Sequence, residues 1–292
     1  MTVLIMTDSA ADIPEELIKK YDLSLVPTVI RFGDEIFYEN VDLSMEQFYE
    51  KFDSSKIYPQ TANPTLHHQF EMFKKLGKEA DEVLNIVISS KMSGSYNTAL
   101  NARKNYERKA DNPSQVFIYD SKFATFAVGI LVIRAAELIK EGKSVEKIIP
   151  ILDKYRDSLE IGFTVADLVY LHRGGRLKKS QYWLGKLVDM KPIINFNNGE
   201  MDVVKKIRRH ENAVIESFTT IYEKKGKPDK FNAYIMHARN EDSANLLKEY
   251  IEEKIQPKEF NVSIKPLGMA IVTHTGPGCI GVCIDTEYKF IH

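Results

Sequence analysis

Residues 82–109 read EVLNIVISSKMSGSYNTALNARKNYERK, and this stretch decides the predicted fold class. The apolar run EVLNIVISS is typical of a buried strand, KMSGS of a turn, and YNTALNARKNYERK of a helix. The same order returns in QVFIYDS (115–121) and in the helical pattern over 123–140. Strands that alternate with helices predict βαβ units, in which helices cover a parallel sheet.

The N-terminal residues extend this pattern. The apolar run VLIMTDS (3–9) predicts another strand. Asp12, followed by Pro14 and Glu15, predicts the N-cap of a helix. A strand followed by a helix is therefore expected here as well.

A hairpin and a further helix are predicted between these segments. The Gly-Asp pair at 33–34 separates two strand-like runs, which is typical of a hairpin. Ser44, with Gln47 three residues later, predicts a capping box at a helix start. We therefore predict an N-terminal three-layer α/β domain with a parallel sheet over residues 1–157.

The pattern changes near residue 158, where we place the start of a C-terminal mixed α/β domain (158–292). Within it, KPIINFNNGEMDVVKKIR (191–208) pairs two strand-like runs across Asn-Asn-Gly, which predicts a hairpin. One helical pattern precedes this hairpin at 179–190, and others follow at 210–225 and from about 241. The last strands are predicted over 260–265, 269–274 and 279–285.

The charge balance argues against nucleic-acid binding. The 292 residues include 40 Lys and Arg against 41 Asp and Glu, a net charge of -1. A surface that neutralises a phosphate backbone needs a strong positive excess. The sequence lacks both a basic-then-apolar leader and an apolar run of roughly 18 residues, so we expect a cytoplasmic protein without stable membrane insertion. Its two cysteines, Cys279 and Cys283, are expected to be buried thiols.

Polar, glycine-containing clusters stand at the ends of four apolar runs: TANPT (61–65), SSKMSGSYNTA (89–99), LHRGGRL (171–177) and THTGPGCIG (273–281). In the second cluster, Ser93, Gly94 and Ser95 precede a predicted helix. Free N–H groups, the helix dipole and two hydroxyls there predict a site for a carboxylate or a phosphate. The alternative is that one of the serines only caps the helix.

The other clusters allow two interpretations each. Thr61 is either a ligand-facing hydroxyl or an ordinary turn residue. His274 precedes Gly276 and Gly278, which let backbone approach a ligand closely, although a lone histidine is more often structural.

The positive charges also have two interpretations. Arg173 and Arg176 flank Gly174-Gly175, where they either complement the carbonyls of a helix end or bind a phosphate or an acidic partner. The run KKIRR (205–209) adds positive charge to this half, and a solvated face would also explain it.

Several chemistries have no support. The sequence contains neither a G-x-x-x-x-G-K-[ST] loop, nor G-x-G-x-x-G, nor H-E-x-x-H, so we predict neither a nucleotide nor a metal cofactor. Ser93, Asp120 and His274 follow the chain order of an α/β-hydrolase triad, which makes a serine esterase or acyl hydrolase the alternative function. However, KMSGS lacks the first glycine of G-x-S-x-G.

Taken together, the motifs resemble the DegV family, whose members include the fatty-acid-binding subunits of bacterial fatty acid kinase. The resemblance runs through the chain in order, from TDSAADIP (7–14) through TANPT, SSKMSGSYNTA, DSKFATFAVG (120–129), LHRGGRL and KIRR to HTGPG (274–278). It implies a non-catalytic, lipid-binding protein that holds one long-chain fatty acid, such as palmitate, and presents it to a separate ATP-dependent kinase. It also implies that the acyl tail is buried in the second domain and that the carboxylate lies at the domain junction.

The resemblance also implies roles for individual residues. Thr61, Ser93 and His274, with the Gly94 amide, would hold the carboxylate. Arg173, Arg176 and Arg208 would lie on the surface that serves the kinase. The sequence departs from the family pattern at Ala62 and Asn63, where serine and glutamine are common, and at Val272-Thr273, where small residues are common. The candidates for the acyl tunnel are apolar residues of the second half, Phe163, Leu184, Leu187, Met190, Ile194 and Phe196, each of which is also an ordinary core candidate.

Overall fold

The stretch at 82–109 forms a strand followed by a helix, as its sequence predicts. In the computed structural model, which describes residues 2–177 and 190–287, β6 runs Glu82–Val87 and α4 runs Ser95–Lys109. Every residue of β6 is buried. By residue contacts the chain divides into unit 1, Met1–Arg156 with Gly268–Ala270, and unit 2, Asp157–Leu267 with Ile271–His292.

Unit 1 contains a four-stranded parallel sheet. Its other strands are β1 (Val3–Asp8), β2 (Ser24–Val26) and β7 (Gln115–Asp120), and the order is β2-β1-β6-β7. All the pairings are parallel, for example Thr7 with Ile86 and Val87 with Asp120. The carboxyl ends of the strands therefore lie at one edge of the sheet, where the cluster SSKMSGS begins.

Five helices accompany this sheet in the described part of unit 1: α1 (Glu15–Tyr21), α3 (Leu66–Leu76), α4, α5 (Phe126–Lys140) and α6 (Val145–Arg156). Helices α3 and α4 pack onto the sheet through one apolar cluster. Its buried members are Met6, Val26, Phe73, Leu76, Ala80, Val83, Ala102, Tyr106 and Val116. Helix α5 contacts β1 and β6 and is buried along most of its length.

A small antiparallel sheet completes unit 1. Strands β3 (Val29–Phe32), β4 (Glu35–Tyr38) and β5 (Gln60–Ala62) take the order β4-β3-β5. The predicted hairpin joins β3 to β4. The predicted capping box starts α2 (Met45–Ser54): Ser44 Oγ accepts from the Gln47 amide, and Gln47 Oε1 accepts from the Ser44 amide.

Unit 2 contains a six-stranded mixed sheet with the order β10-β9-β8-β13-β11-β12. The strands are β8 (Leu159–Thr164), β9 (Met190–Asn197), β10 (Glu200–Arg208), β11 (Lys230–His237), β12 (Glu259–Pro266) and β13 (Ile280–Asp285). Only the pairing of β11 with β12 is parallel among these described strands. The predicted hairpin across Asn-Asn-Gly joins β9 to β10. The predicted α/β class, with a parallel sheet and a separate mixed sheet, is confirmed.

The described helices of unit 2 are α7 (Val169–Arg173), α8 (His210–Lys224), α9 (Glu241–Tyr250), which continues as a π-helix over Ile251–Ile255, and α10 (Met269–Thr275). The first two residues of α10 belong to unit 1. One face of the sheet packs against α8 and α9 through Val214, Phe218, Ile221, Ala244, Leu247, Ile235, Ile280 and Val282. The opposite face carries Phe163, which pairs with Ile194 of β9, and Gly281, which pairs with Phe163 and Met236. These three apolar side chains are buried, as are Cys279 and Cys283.

Two local predictions are wrong. Residues 269–274, predicted as a strand, lie in helix α10. Asp12, predicted as an N-cap, has a φ of 47°, and α1 begins only at Glu15 after Pro14. In both places contacts with distant residues decide the local structure. The helix predicted over 179–190 lies almost wholly outside the described residues.

Across residues 2–177 and 190–287, every helix is too short or too polar to span a bilayer.

Candidate functional site

The segments that contain TANPT and SSKMSGS meet in unit 1. Thr61 is half-buried on β5, where it pairs with Ile30 of β3. Asn63 donates from Nδ2 to Thr98 Oγ1 at 2.6 Å. A Cβ atom on Gly94 would lie 3.0 Å from Asn63 Oδ1, so the glycine lets this loop approach the first turn of α4 closely. Contacts of Asn63 therefore connect the loop after Thr61 to the residues beside Ser93.

The serines before α4 form a local pair. Ser93 Oγ lies 3.0 Å from Ser95 Oγ, and the Ser95 amide donates to Ser93 Oγ at 3.2 Å. Gly94 occupies the N-cap position of α4, where no side chain caps the helix. Ser93 is half-buried and Ser95 is buried. The Ser93 hydroxyl is thus held beside a helix N-terminus, on a residue that is partly exposed.

In unit 2, His274 lies in the last turn of α10 and packs directly on backbone. A Cβ atom on Gly174 would lie 2.2 Å from His274 Nδ1, so only glycine allows this contact. Burial, and then the positive charge of Arg176, lower the pKa of His274 to about 3. The imidazole is therefore neutral at pH 7.

The three arginines of interest differ in exposure. Arg173, in the last turn of α7, and Arg208, at the end of β10, are exposed. Arg176 is half-buried, donates from Nη1 to the Gly174 carbonyl at 2.5 Å, and has a pKa lowered by burial. Because Arg176 also acts on the pKa of His274, it belongs to the surroundings of that ring.

Gly276 and Gly278 serve close packing within unit 2. Their φ angles are 72° and 82°, which favour glycine. A Cβ atom would lie 2.3 Å from the Tyr170 ring at Gly276, and 2.8 Å from the Ala166 side chain at Gly278. The sequence predicts that these glycines let backbone approach a ligand. In the structure they let the backbone approach the side chains of Tyr170 and Ala166, in and beside α7.

The contacts of Asp120 do not favour the hydrolase alternative. Asp120 Oδ2 accepts from the Ser90 hydroxyl at 2.5 Å, and Oδ1 accepts from the amides of Ser90 and Lys122. Ser93 pairs with Ser95. Both hydroxyl and carboxylate of the supposed triad are thus engaged with neighbours in unit 1.

Unit 1 also contains a set of buried acidic side chains that no motif in the sequence predicts. Asp8 and Glu39 are each 1% exposed, and Asp12 Oδ1 is a buried atom that lies against Gly268. Burial, and then the charge of Glu39, raise the pKa of Asp8 to about 7 and that of Asp12 to about 8. Burial also raises the pKa of Glu39. The only signal in the sequence is that TDSAADIP places two acids directly after an apolar strand.

Within the described residues, no group of three or more His, Cys, Asp and Glu side chains has an arrangement suited to a metal ion. The fold and the polar clusters define a two-unit α/β protein with candidate ligand-facing groups in each unit.

Comparison with known proteins identifies the family. The profile described as "Uncharacterised protein, DegV family" matches residues 2–287. Protein DegV of Bacillus subtilis is 32% identical over 284 residues, which are 97% of this chain and 99% of that protein. A DegV domain-containing protein of Halalkalibacterium halodurans is 34% identical over 281 residues, 96% of this chain and 97% of that protein. The chain belongs to the DegV family.

Solved structures resemble the chain over its whole length. Bacillus subtilis DegV, described as a fatty acid binding protein, has a TM-score of 0.86 and 31% identity, covering 98% of this chain and 100% of that one. A DegV family protein from Thermus thermophilus, described by its fatty acid binding, has a TM-score of 0.86 and 28% identity with the same coverage.

Proposed function

We propose that the protein binds one long-chain fatty acid and presents it to a separate ATP-dependent fatty acid kinase. The observation that carries the proposal is the likeness over 98% of the chain to DegV of Bacillus subtilis, a fatty acid binding protein. In this function the protein is a carrier and performs no chemical step. The phosphoryl transfer belongs to the partner.

The proposal assigns the carboxylate to Thr61, Ser93, the Gly94 amide and His274, the residues that the DegV resemblance implies. Two hydroxyls suit an anion because they donate hydrogen bonds to it. The N-terminus of the helix adds free N–H groups and the positive end of the helix dipole. A neutral His274 adds a hydrogen bond without charge, and Arg176, whose charge acts on that ring, adds the attraction of a cation.

The acyl tail lies in unit 2 against the sheet face that carries Phe163, Ile194 and Phe196. The rings of Phe163 and Phe196 are 6.2 Å apart, and all three residues are buried. Burial of about fifteen methylenes would contribute roughly 12 kcal/mol before ordering costs, which is ample for a carrier. Met190 starts β9 and is half-buried, whereas Leu184 and Leu187 lie outside the described residues.

The kinase surface is assigned to the exposed cations Arg173 and Arg208 and to the half-buried Arg176. Exposed guanidinium groups suit an acidic protein surface or a phosphate, since they form paired hydrogen bonds with both. The proposal requires a partner, because the sequence carries no nucleotide-binding motif.

Denaturing mass spectrometry of the freshly purified protein tests the binding step. We expect one C14–C18 fatty acid per chain. The affinity for fatty acid, measured by displacement of a fluorescent analogue, should be about tenfold or more lower in Ser93→Ala and in His274→Ala. It should be unchanged in the control Ser54→Ala, since Ser54 is an exposed serine at the end of α2. Protein that is empty and takes up no added fatty acid would disprove the proposal.

A further inference from the structure

Asp8 is a buried acid for which the proposed function gives no role. It ends β1 inside the motif TDSAADIP and is 1% exposed. Both of its carboxyl oxygens are buried, and neither has a hydrogen-bond partner at both a short distance and a favourable angle. Burying a carboxyl group without such partners costs free energy, so the polar groups nearest to Asp8 influence its charge state.

Ser95 lies between Asp8 and the ligand-facing Ser93. Its side chain interacts with the Asp8 carboxyl, and its hydroxyl oxygen lies 3.0 Å from that of Ser93. Ser95 is 1% exposed, so water does not compete for these contacts. The topology explains the arrangement, since β1 and β6 are parallel neighbours and the serine loop follows the end of β6.

The proton on Asp8 decides which way these hydroxyls point. When Asp8 is ionised, the Ser95 hydroxyl donates to it, and Ser95 Oγ is left to accept the proton of Ser93. When Asp8 is protonated, it donates to Ser95, Ser95 donates to Ser93, and the Ser93 proton is free for a ligand carboxylate. The Ser95 amide donates to Ser93 Oγ in both arrangements, and only the direction of the hydrogen bond between the two hydroxyls changes.

The charged group that acts on the pKa of Asp8 is the carboxyl of Glu39, and Asp8 in turn raises the pKa of Asp12. The polar neighbours of Asp8 are Ser95 and the backbone at Ile88 and Ala10. Burial, and then Glu39, raise the pKa of Asp8 to about 7. His274, with a pKa of about 3, keeps one charge state throughout the neutral range. The change of Asp8 between its two states therefore falls near neutral pH.

We propose that Asp8 and Ser95 are positioning residues that turn the Ser93 hydroxyl toward the bound carboxylate when Asp8 carries its proton. This inference rests on the proposed function. It implies that the protein binds fatty acid more tightly on the acid side of neutrality and releases it more readily on the alkaline side.

The affinity for a fluorescent fatty acid, measured from about pH 6 to about pH 8.5, tests the inference. We expect the wild type to weaken by about tenfold across this range, the effect of one hydrogen bond to a charged group. Asp8→Asn, whose amide donates to Ser95 at every pH, should keep the tight affinity and lose the pH dependence. Ser95→Ala should bind weakly at all pH values, and Ser95→Thr, which keeps the hydroxyl, should restore the profile.

An Asp8→Asn protein with the wild-type pH profile would overturn the inference, and so would a Ser95→Ala protein with wild-type affinity. If Asp8→Asn does not fold, the comparison of Ser95→Ala with Ser95→Thr decides the same question. Failure of the proposed function gives a different result, because the wild type would then bind no fatty acid at any pH.

Discussion

The amide of Ala270 donates a 2.8 Å hydrogen bond to Oε1 of Glu39, a residue 231 positions earlier in the chain. The other carboxylate oxygen of Glu39 accepts from the Ser9 hydroxyl at 2.5 Å, and Ser9 Oγ accepts from the Thr28 amide at 2.8 Å. One buried carboxylate thus joins the first turn of α10 to two other segments of unit 1. This bond helps explain why Gly268–Ala270 groups with unit 1.

Removal of the Glu39 carboxylate should destabilise unit 1. In Glu39→Ala the Ala270 amide and the Ser9 hydroxyl lose their partner in a buried place, which costs roughly 2–4 kcal/mol. Glu39→Gln keeps an acceptor for Ala270 and should cost less. Urea unfolding measures both, with Glu35→Ala as control, since Glu35 is exposed and its ion pair with Lys51 contributes below about 1 kcal/mol. Equal losses in Glu39→Ala and the control would refute this role.

The raised pKa of Asp12 predicts that stability falls as pH rises. The pKa is about 8 in the folded protein against a reference value of 3.8, so between these values the folded state holds a proton that the unfolded state releases. The free energy of unfolding therefore decreases as pH rises from about 4 to about 8. The free-energy cost of ionising Asp12 in the folded protein is absent below this pH window and complete above it.

Asp12→Asn should flatten that dependence. Asparagine tolerates the φ of 47° and can still accept from the Thr125 hydroxyl, which donates to Asp12 Oδ2 at 2.6 Å. Between about pH 6 and about pH 8 we expect the wild type to lose about 1–2 kcal/mol more than the variant in urea unfolding. Parallel pH profiles for the two proteins would contradict the raised pKa.

The sequence predicted the fold well where local patterns agree with the final contacts. The apolar run before Ser93, the capping box at Ser44 and the Asn-Asn-Gly hairpin each specify their element within a few residues. At 269–274 the run MAIVTH suits either a buried helix or a strand. Its first turn becomes helical where Ala270 meets Glu39, a contact that no local pattern contains.

The candidate site is less predictable for a similar reason. Each polar cluster is visible in the sequence, yet its neighbours are not. That Asn63 donates to Thr98, or that the charge of Arg176 acts on His274, depends on packing between segments 35 or about 100 residues apart. The buried acids Asp8 and Glu39 lacked a motif of known chemistry and went unnoticed.

Asp120 should be structural and not catalytic. It receives three hydrogen bonds from Ser90 and Lys122, so Asp120→Asn should loosen the loop after β6 and lower stability by roughly 1–2 kcal/mol. A chromogenic acyl ester should not be hydrolysed by the wild type or by the variant. Turnover that disappears in Asp120→Asn and in Ser93→Ala would instead establish the hydrolase alternative.

Two glycines on opposite faces of the unit 2 sheet should respond differently to substitution. A Cβ atom on Gly162 would lie 2.1 Å from the Ser217 carbonyl oxygen of α8, so Gly162→Ala must displace backbone and should cost roughly 2–4 kcal/mol. On Gly281 it would lie 3.4 Å from Phe163 Cβ and 3.7 Å from Met236 Cε, which are ordinary contacts. Gly281→Ala should therefore stay within about 1 kcal/mol of the wild type in urea unfolding.

The same glycine offers a test of where the acyl tail lies. Gly281 has no side chain in a row that otherwise presents Ile194, Phe163 and Met236, so it leaves a depression on the face proposed for the tail. Gly281→Leu should fill that depression and shift the preference toward shorter acids, whereas Gly281→Ala should change it little. Competition among C14, C16 and C18 acids measures the shift. An unchanged preference in a folded, fatty-acid-binding Gly281→Leu protein would place the tail elsewhere in unit 2.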